Sequence, residues 1–332
     1  MERHMTTRPG RFTTIVTLVV FASLAAAAAA SAQSNEGSFE RVLKVGGPVD
    51  LEVRSGSGSI RVFPGEGDTV KVVGRIRAGR SWFSSDASGR IREIEKNPPI
   101  EQSGRAIRVG RADDESLFRN ISISYDVTVP AQARVEARTG SGAVEVGDLA
   151  GPVEAHSGSG SISIGRVAGA VVARTGSGSI DVAGAQGLEA HSGSGSIKAR
   201  GIAGAVQADS GSGGVEVEHA GPGDVDVSSS SGNVVVTGVD GAARVSASSG
   251  GVEVQGRPSQ PWDIHSSSGS VTLRLPADAA FDLDAHVSSG GIDLAHPVTV
   301  SGRMDRRHVR GKVRGGGPLV QVRSSSGGIR IE

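Results

Sequence analysis

The chain has 332 residues, with 35 basic and 35 acidic side chains and a formal charge of zero, a balance that speaks against a bulk nucleic-acid binder. It has no cysteine, which removes disulfides, thiol catalysis and cysteine-based metal sites. Fifty glycines stand beside only seven Phe, two Trp and one Tyr, a composition poorly suited to an aromatic-rich globular core and well suited to a thin aliphatic stack with many turns.

Residues 1–32 read as a secretory signal peptide. Arg3, Arg8 and Arg11 supply the charged start, residues 15–30 are uncharged and apolar, and Ala30-Ser31-Ala32 is a cleavage signature. The cut is placed after Ala32. A retained membrane anchor is the alternative, but this alanine-rich run is short for a span. No Cys follows it, so the chain does not read as a lipoprotein. The expected location is outside the cytoplasm: periplasm, cell surface or medium, with no stable membrane span after cleavage. The remainder carries 32 basic and 34 acidic residues, a net of −2.

Residues 33–130 form an N-terminal β region. Strands are predicted at 39–45, 49–53 and 69–73, around a first motif copy, Ser55-Gly56-Ser57-Gly58-Ser59-Ile60. Residues 75–130 then break the rhythm. A short helix is predicted over 85–96, capped by Ser85 or Asp86, with Ile91 and Ile94 on one face and Asn97-Pro98-Pro99 as its stop. Residues 106–109 and 121–129 read as strands. This insertion is expected to cap the start of a repeat array, because exposed solenoid ends need cover.

Residues 131–332 carry the array. Its clearest copy is Ser157-Gly158-Ser159-Gly160-Ser161-Ile162-Ser163-Ile164. With the second Gly as reference, Gly142 to Gly269 advance in steps of 18, 18, 17, 18, 19, 18 and 19 residues. Steps of 21 and 37 follow to Gly290 and Gly327, and 84 residues separate Gly58 from Gly142. Two and four residues after the reference stand apolar columns such as Ile162/Ile164 and Ile180/Val182. Before the turn a second strand carries Val153/Ala155, Val171/Ala173 and Val206/Ala208. Period-two alternation in register predicts an all-β fold: a right-handed parallel β-solenoid of roughly 18-residue coils with two short strands per coil. A flexible Gly/Ser linker is the bland alternative, and linkers do not hold two β-branched columns in register. The Ser immediately before each reference Gly, Ser57 through Ser326, is expected to form a hydroxyl ladder. The Gly itself is expected to supply a backbone conformation that other residues resist. Residues 296–318 interrupt the array as a basic excursion with Arg306, Arg307 and Arg310, read as a solvated loop or hairpin and as a candidate contact surface. The final copy ends one residue before the C-terminus, so its strand needs a partner or leaves an open edge.

The x-G-S-G-x-[IV]-x-[VI] units behind a leader, the irregular insertion after the first unit, and the close through Gly315-Gly316-Gly317-Pro318-Leu319 resemble the bacterial "putative adhesin" β-strand repeat family, a domain of unknown function. The resemblance spans roughly residues 38–332. It implies a parallel β-solenoid and an exported location. It implies no enzyme activity, and no family site residues carry over.

No G-x-S-x-G, H-E-x-x-H or Walker A pattern is present. Calcium turns of the G-G-x-G-x-D type are argued against because Ile or Val takes the Asp position. No cofactor and no catalytic residue is assigned. The outward column four residues before the reference Gly includes Arg138, His156, Arg174, His191, His265 and His286, beside an acidic column with Glu136, Glu154 and Glu189. The plain reading is mutual neutralisation on a solvated face. The sharper one is a docking face for an anionic glycan or an envelope protein, with histidines that add charge in mildly acid solution. His265 and His286, placed on adjacent coils, would also allow a shared metal, with no clear third ligand. Three functions follow in order: an exported structural or adhesion-like module, a binding module in envelope-stress or cell-wall signalling, and a carbohydrate-active β-helix enzyme. The last is disfavoured because carboxylates are scattered and aromatic platforms are rare.

Overall fold

The computed structural model describes residues 35–79, 87–110, 118–300 and 305–332. The leader and its cut after Ala32 lie outside them. The described residues belong to one compact unit, Asn35–Glu332.

Each coil gives one strand before the turn and one after it, as Val153–Ser157 and Ile162–Arg166 do. Among the described residues the pre-turn strands make a fifteen-stranded sheet and the post-turn strands a fourteen-stranded one. Strands along the stack pair in parallel and in register: Val153 faces Val135 on one side and Val171 on the other. The apolar columns meet between the sheets. Ile162, Ile164, Ala155 and Ala173 are each at most 2% exposed. Burying each Val or Ile contributes about 1.5–3 kcal/mol, and alanine columns keep the layer thin enough to stay dry.

The hydroxyl ladder exists, but not where the sequence reading put it. It is built by the residue three before the reference Gly, not one before. Ser157 Oγ donates to the Gly142 carbonyl of the preceding coil at 2.9 Å and accepts from Gly160 N of its own coil at 2.8 Å. Thr175, Ser192, Ser210, Ser229 and Ser266 repeat this two-sided bond. Each rung satisfies a donor and an acceptor that the tight turn would otherwise bury unpaired. Ala247 occupies the equivalent place in its coil and carries no hydroxyl.

The glycines are also required for a different reason from the one expected. Gly160, Gly178 and Gly195 do not have positive φ. A Cβ on any of them would come within 3.0 Å of the carbonyl group of the preceding reference Gly. Close stacking of turns, not backbone handedness, selects Gly here.

Both ends depart from sequence order. At the start, the coil of Asp50–Ser55 and Ile60–Gly65 stacks directly on Arg134–Thr139 and Val144–Val146. Its other side is covered by Ala106–Val109 and Ile121–Pro130, which come later in the chain. Antiparallel strands Thr69–Ala78 and Glu36–Lys44 extend this end, and the helix Ala87–Lys96 buries Ile91 and Ile94. At the finish, the last coil does not form the edge. Leu319–Ser324 inserts between Trp262–Ser266 and Phe281–Val287, and Ile329–Ile331 between Val271–Arg274 and Ile292–Leu294. The steps of 84 and 37 residues therefore mark out-of-order coils.

Candidate functional site

The column of Arg138, His156, Arg174 and His191 lies in register across four successive strands. His156, Arg174, His191 and Asp209 line a shallow open groove of about 490 Å³, floored by Gly158, Gly176, Gly193 and Gly211 at the turn. The cations of this column are not free. Arg138 lies 2.8 Å from Glu136 and 2.9 Å from Glu154. His156 Nε2 lies 2.8 Å from the same Glu154 oxygen. Arg174 pairs with Glu189, and His191 Nε2 sits 3.3 Å from it. The His156 hydrogen bond, helped by the charges of His156 and Arg138, holds the Glu154 carboxyl below its ordinary range against a smaller opposing effect of burial. The arrangement fits the plain reading of mutual neutralisation.

His265 and His286 do not stack on each other. Arg323 of the inserted last coil stands between them in register with both. The adjacency expected for a shared metal is thereby lost. Arg323 Nη1 reaches Asp263 Oδ1 at 3.8 Å. His265 Nε2 lies 3.3 Å from Ser267 Oγ. His286 makes an edge-on ring contact with His308, centroids 5.7 Å apart, and His308 Nε2 is 3.0 Å from Asp284 Oδ1.

The basic excursion is an antiparallel hairpin. Val298–Val300 pairs with His308–Val313, which itself pairs antiparallel with Phe281–Val287 at the end of the pre-turn sheet. Alternation orients it: Val309 and Val313 are buried, while His308, Arg310 and Lys312 are exposed. Arg306 and Arg307 are exposed in the turn, and Arg314 follows with φ +50°. Arg306, Arg307, Arg310, Lys312 and Arg314 form no ion pair within 4.0 Å among the described residues, although Arg310 and Lys312 stand opposite Asp284 and Asp282 in the cross-strand register and the Arg314 charge reaches Asp278. By contrast Arg138, Arg174, Lys198, Arg200, Arg244, Arg257 and Arg274 of the stack each lie within 4.0 Å of a carboxylate. The two candidate surfaces thus differ in how closely their cations are paired. Lys312 and Arg314 join the three arginines, a grouping legible only as a run of basic letters.

A coil stack with serine-glycine turns and two parallel sheets is the setting in which the family match falls: the model of Toastrack DUF4097 matches residues 50–332. The chain belongs to the Toastrack DUF4097 family. No curated protein matches this Toastrack chain. Among solved structures, it is similar to a "putative adhesin" from Parabacteroides distasonis at 11% identity and TM-score 0.37, over 89% of this chain and 97% of that one. A "putative adhesin" from Bacteroides fragilis matches at 10% identity and TM-score 0.33, over 89% and 97%. A "putative cell adhesion protein" from Clostridium sporogenes matches at 12% identity and TM-score 0.20, over 89% and 99%. At these identities and TM-scores the neighbours say nothing about a ligand. No helix among the described residues is long and apolar enough to cross a membrane.

Proposed function

We propose that this Toastrack protein is an exported, non-enzymatic contact module that presents a cationic arm, the 305–314 hairpin, to an anionic glycan. One observation carries the reading. Most stack cations lie within 4.0 Å of a carboxylate, whereas Arg306, Arg307, Arg310 and Lys312 are exposed and form no such ion pair among the described residues. Unpaired charge on a projecting edge leaves a field that attracts a polyanion, and that field weakens as salt rises. The column of Arg138, His156, Arg174 and His191 is a secondary contact, since a polyanion there must compete with Glu154 and Glu189.

Alginate, a uronic-acid polysaccharide, provides the test by titration at low and high salt. The R306A/R307A/R310A variant should bind about ten-fold more weakly, the effect of three exposed charges. The R138A/H156A/R174A/H191A variant should lose less. Loss in the column variant with full binding in the hairpin variant would reverse the assignment, and absent or salt-independent binding by the wild type would reject the glycan.

A further inference from the structure

A second groove, of about 650 Å³, crosses the outer face of the pre-turn sheet. It runs over six strands that pair in parallel register, from Gly187–Ser192 through Ala243–Ala247 to Trp262–Ser266 and Leu319–Ser324. Its floor is the outward column at the start of these strands, where Ala205, Ala242, Pro261 and Leu319 are small or apolar and Asp224, whose Oδ1 accepts from Ala242 N at 3.1 Å, is the one acidic member. Leu319 is 44% exposed, as few large apolar side chains of the described residues are. The Trp262 ring is buried and its Nε1 donates to the Gly241 carbonyl at 3.0 Å, which fixes the wall beneath Pro261.

The rim is the next outward column: Glu189, Gln207, Asp226, Arg244, Asp263 and Gln321. One polar side chain therefore recurs with every strand, about 4.8 Å apart. The rim charges are balanced locally. Glu189 is held by Arg174, Asp226 lies 4.0 Å from Arg244, and Asp263 lies 3.8 Å from Arg323. Paired carboxylates keep free lone pairs, and Gln207 and Gln321 offer both donors and acceptors. A largely apolar floor with convergent polar groups, Asp224 among them, is the chemistry of a ligand groove.

The geometry points to a binding groove for a linear, uncharged, β-linked polysaccharide laid across the strands. A charge-balanced rim favours neither a polyanion nor a polycation. The strand spacing is close to the advance per residue of a β-linked sugar chain, so each rim group can meet one sugar. An extended peptide advances about 3.3 Å per residue and would fall out of step within a few coils. Sugar rings lay C–H faces on the alanine, proline and leucine floor and direct hydroxyls to the rim. The groove is independent of the hairpin: none of Arg306, Arg307 and Arg310 lines it.

The test uses the full chain and two probe series, cello-oligosaccharides and chito-oligosaccharides from dimer to octamer, titrated calorimetrically. Affinity should rise about five-fold per added sugar, the effect of one net hydrogen bond, and level off near the hexamer, one sugar per strand crossed. A205R/A242R, which fills the floor at an exposed and a half-buried position, should abolish oligosaccharide binding while leaving the melting temperature unchanged. R306A/R307A/R310A should leave oligosaccharide binding intact. Absence of binding by the wild type at millimolar hexamer, affinity independent of length, or unimpaired binding by a folded A205R/A242R would each overturn the inference. If alginate still binds in those cases, the hairpin reading survives.

Discussion

The two ends of the stack are finished differently. At the N-terminal end both sheets are covered: the post-turn sheet by Ile121–Pro130, Thr69–Ala78 and Glu36–Lys44, the pre-turn sheet by Ile100–Ser103 and Ala106–Val109. Three cations of its outer strands are paired, with Lys71 2.9 Å from Glu40, Arg77 3.2 Å from Glu36, and Arg75 on Asp126, while Arg41 donates to the Lys96 carbonyl at 3.3 Å. At the C-terminal end only the pre-turn sheet gains a hairpin, and its Arg306, Arg307, Arg310 and Lys312 form no ion pair within 4.0 Å among the described residues. The post-turn sheet stops at Ile292–Leu294, where Ile292 and Leu294 are half-buried although their counterparts in the inner coils are buried. An edge closed by paired antiparallel strands is protected from further association. Antiparallel strands cover both sheets at the N-terminal end and one sheet at the C-terminal end, where the proposed contact lies.

The largest expected effect sharpens this contrast through glycine. Gly195→Ala in the middle of the stack drives a methyl into the Gly178 carbonyl and should destabilise by about 3 kcal/mol in urea titrations. Gly291→Ala at the loose C-terminal end meets nothing within 4 Å and should be within about 0.5 kcal/mol of wild type. A rigid end would make the two alike.

Next come the rungs of the hydroxyl ladder. Ser192→Ala removes the bonds to Gly178 O and Gly195 N and should cost about 1–2 kcal/mol. Ala247→Ser should gain about 1 kcal/mol by adding the missing rung between Gly232 and Gly250. Thermal denaturation of both variants checks the sign of each.

Charge removal should then act oppositely at the two ends. Neutralising Lys71, Arg75 and Arg77 should lower stability by roughly 1 kcal/mol, because each exposed pair is worth little, and should leave alginate binding unchanged. Neutralising Arg306, Arg307 and Arg310 should do the reverse.

The smallest effect is one of pH. Glu154 has its folded pKa held below the ordinary 4.5, chiefly by His156. A depressed carboxyl contributes stability above the unfolded pKa and loses it as pH falls through the folded value. Glu154→Gln should flatten stability slightly below about pH 4.5 and change nothing else in its slope. An unchanged acid limb would show that the His156 contact is idle.

Much of this was legible in the residues. The period, the Ile/Val and Val/Ala columns, the helix ended by Asn97-Pro98-Pro99, and the hairpin at Arg306 to Arg310 all follow from local patterns that the packing keeps. Coil order at the ends was not, because every repeat presents the same edge chemistry and any coil can stack on any other. The steps of 84 and 37 residues were its trace. The ladder position was misread because Ser stands at both places in most copies. Thr139, Thr175, Ala247 and Val287 in the inner column signal a half-apolar, buried site, whereas the Ser before each Gly never varies in that way. Pairing of Arg138, His156, Arg174 and His191 was foreseen in kind, but the separation from Arg323 and His308 needed the inserted coil. The groove between Gln207 and Gln321 was invisible because its two halves are far apart in sequence.

Hydrogen exchange of the full chain with and without alginate tests the contrast between the ends most directly. The account predicts slowed exchange over residues 305–314 and in Phe281–Val287 behind them, with Glu36–Lys44 and Thr69–Ala78 unchanged. Protection at the N-terminal strands, or along the Arg138–His191 column with none at the hairpin, would contradict it.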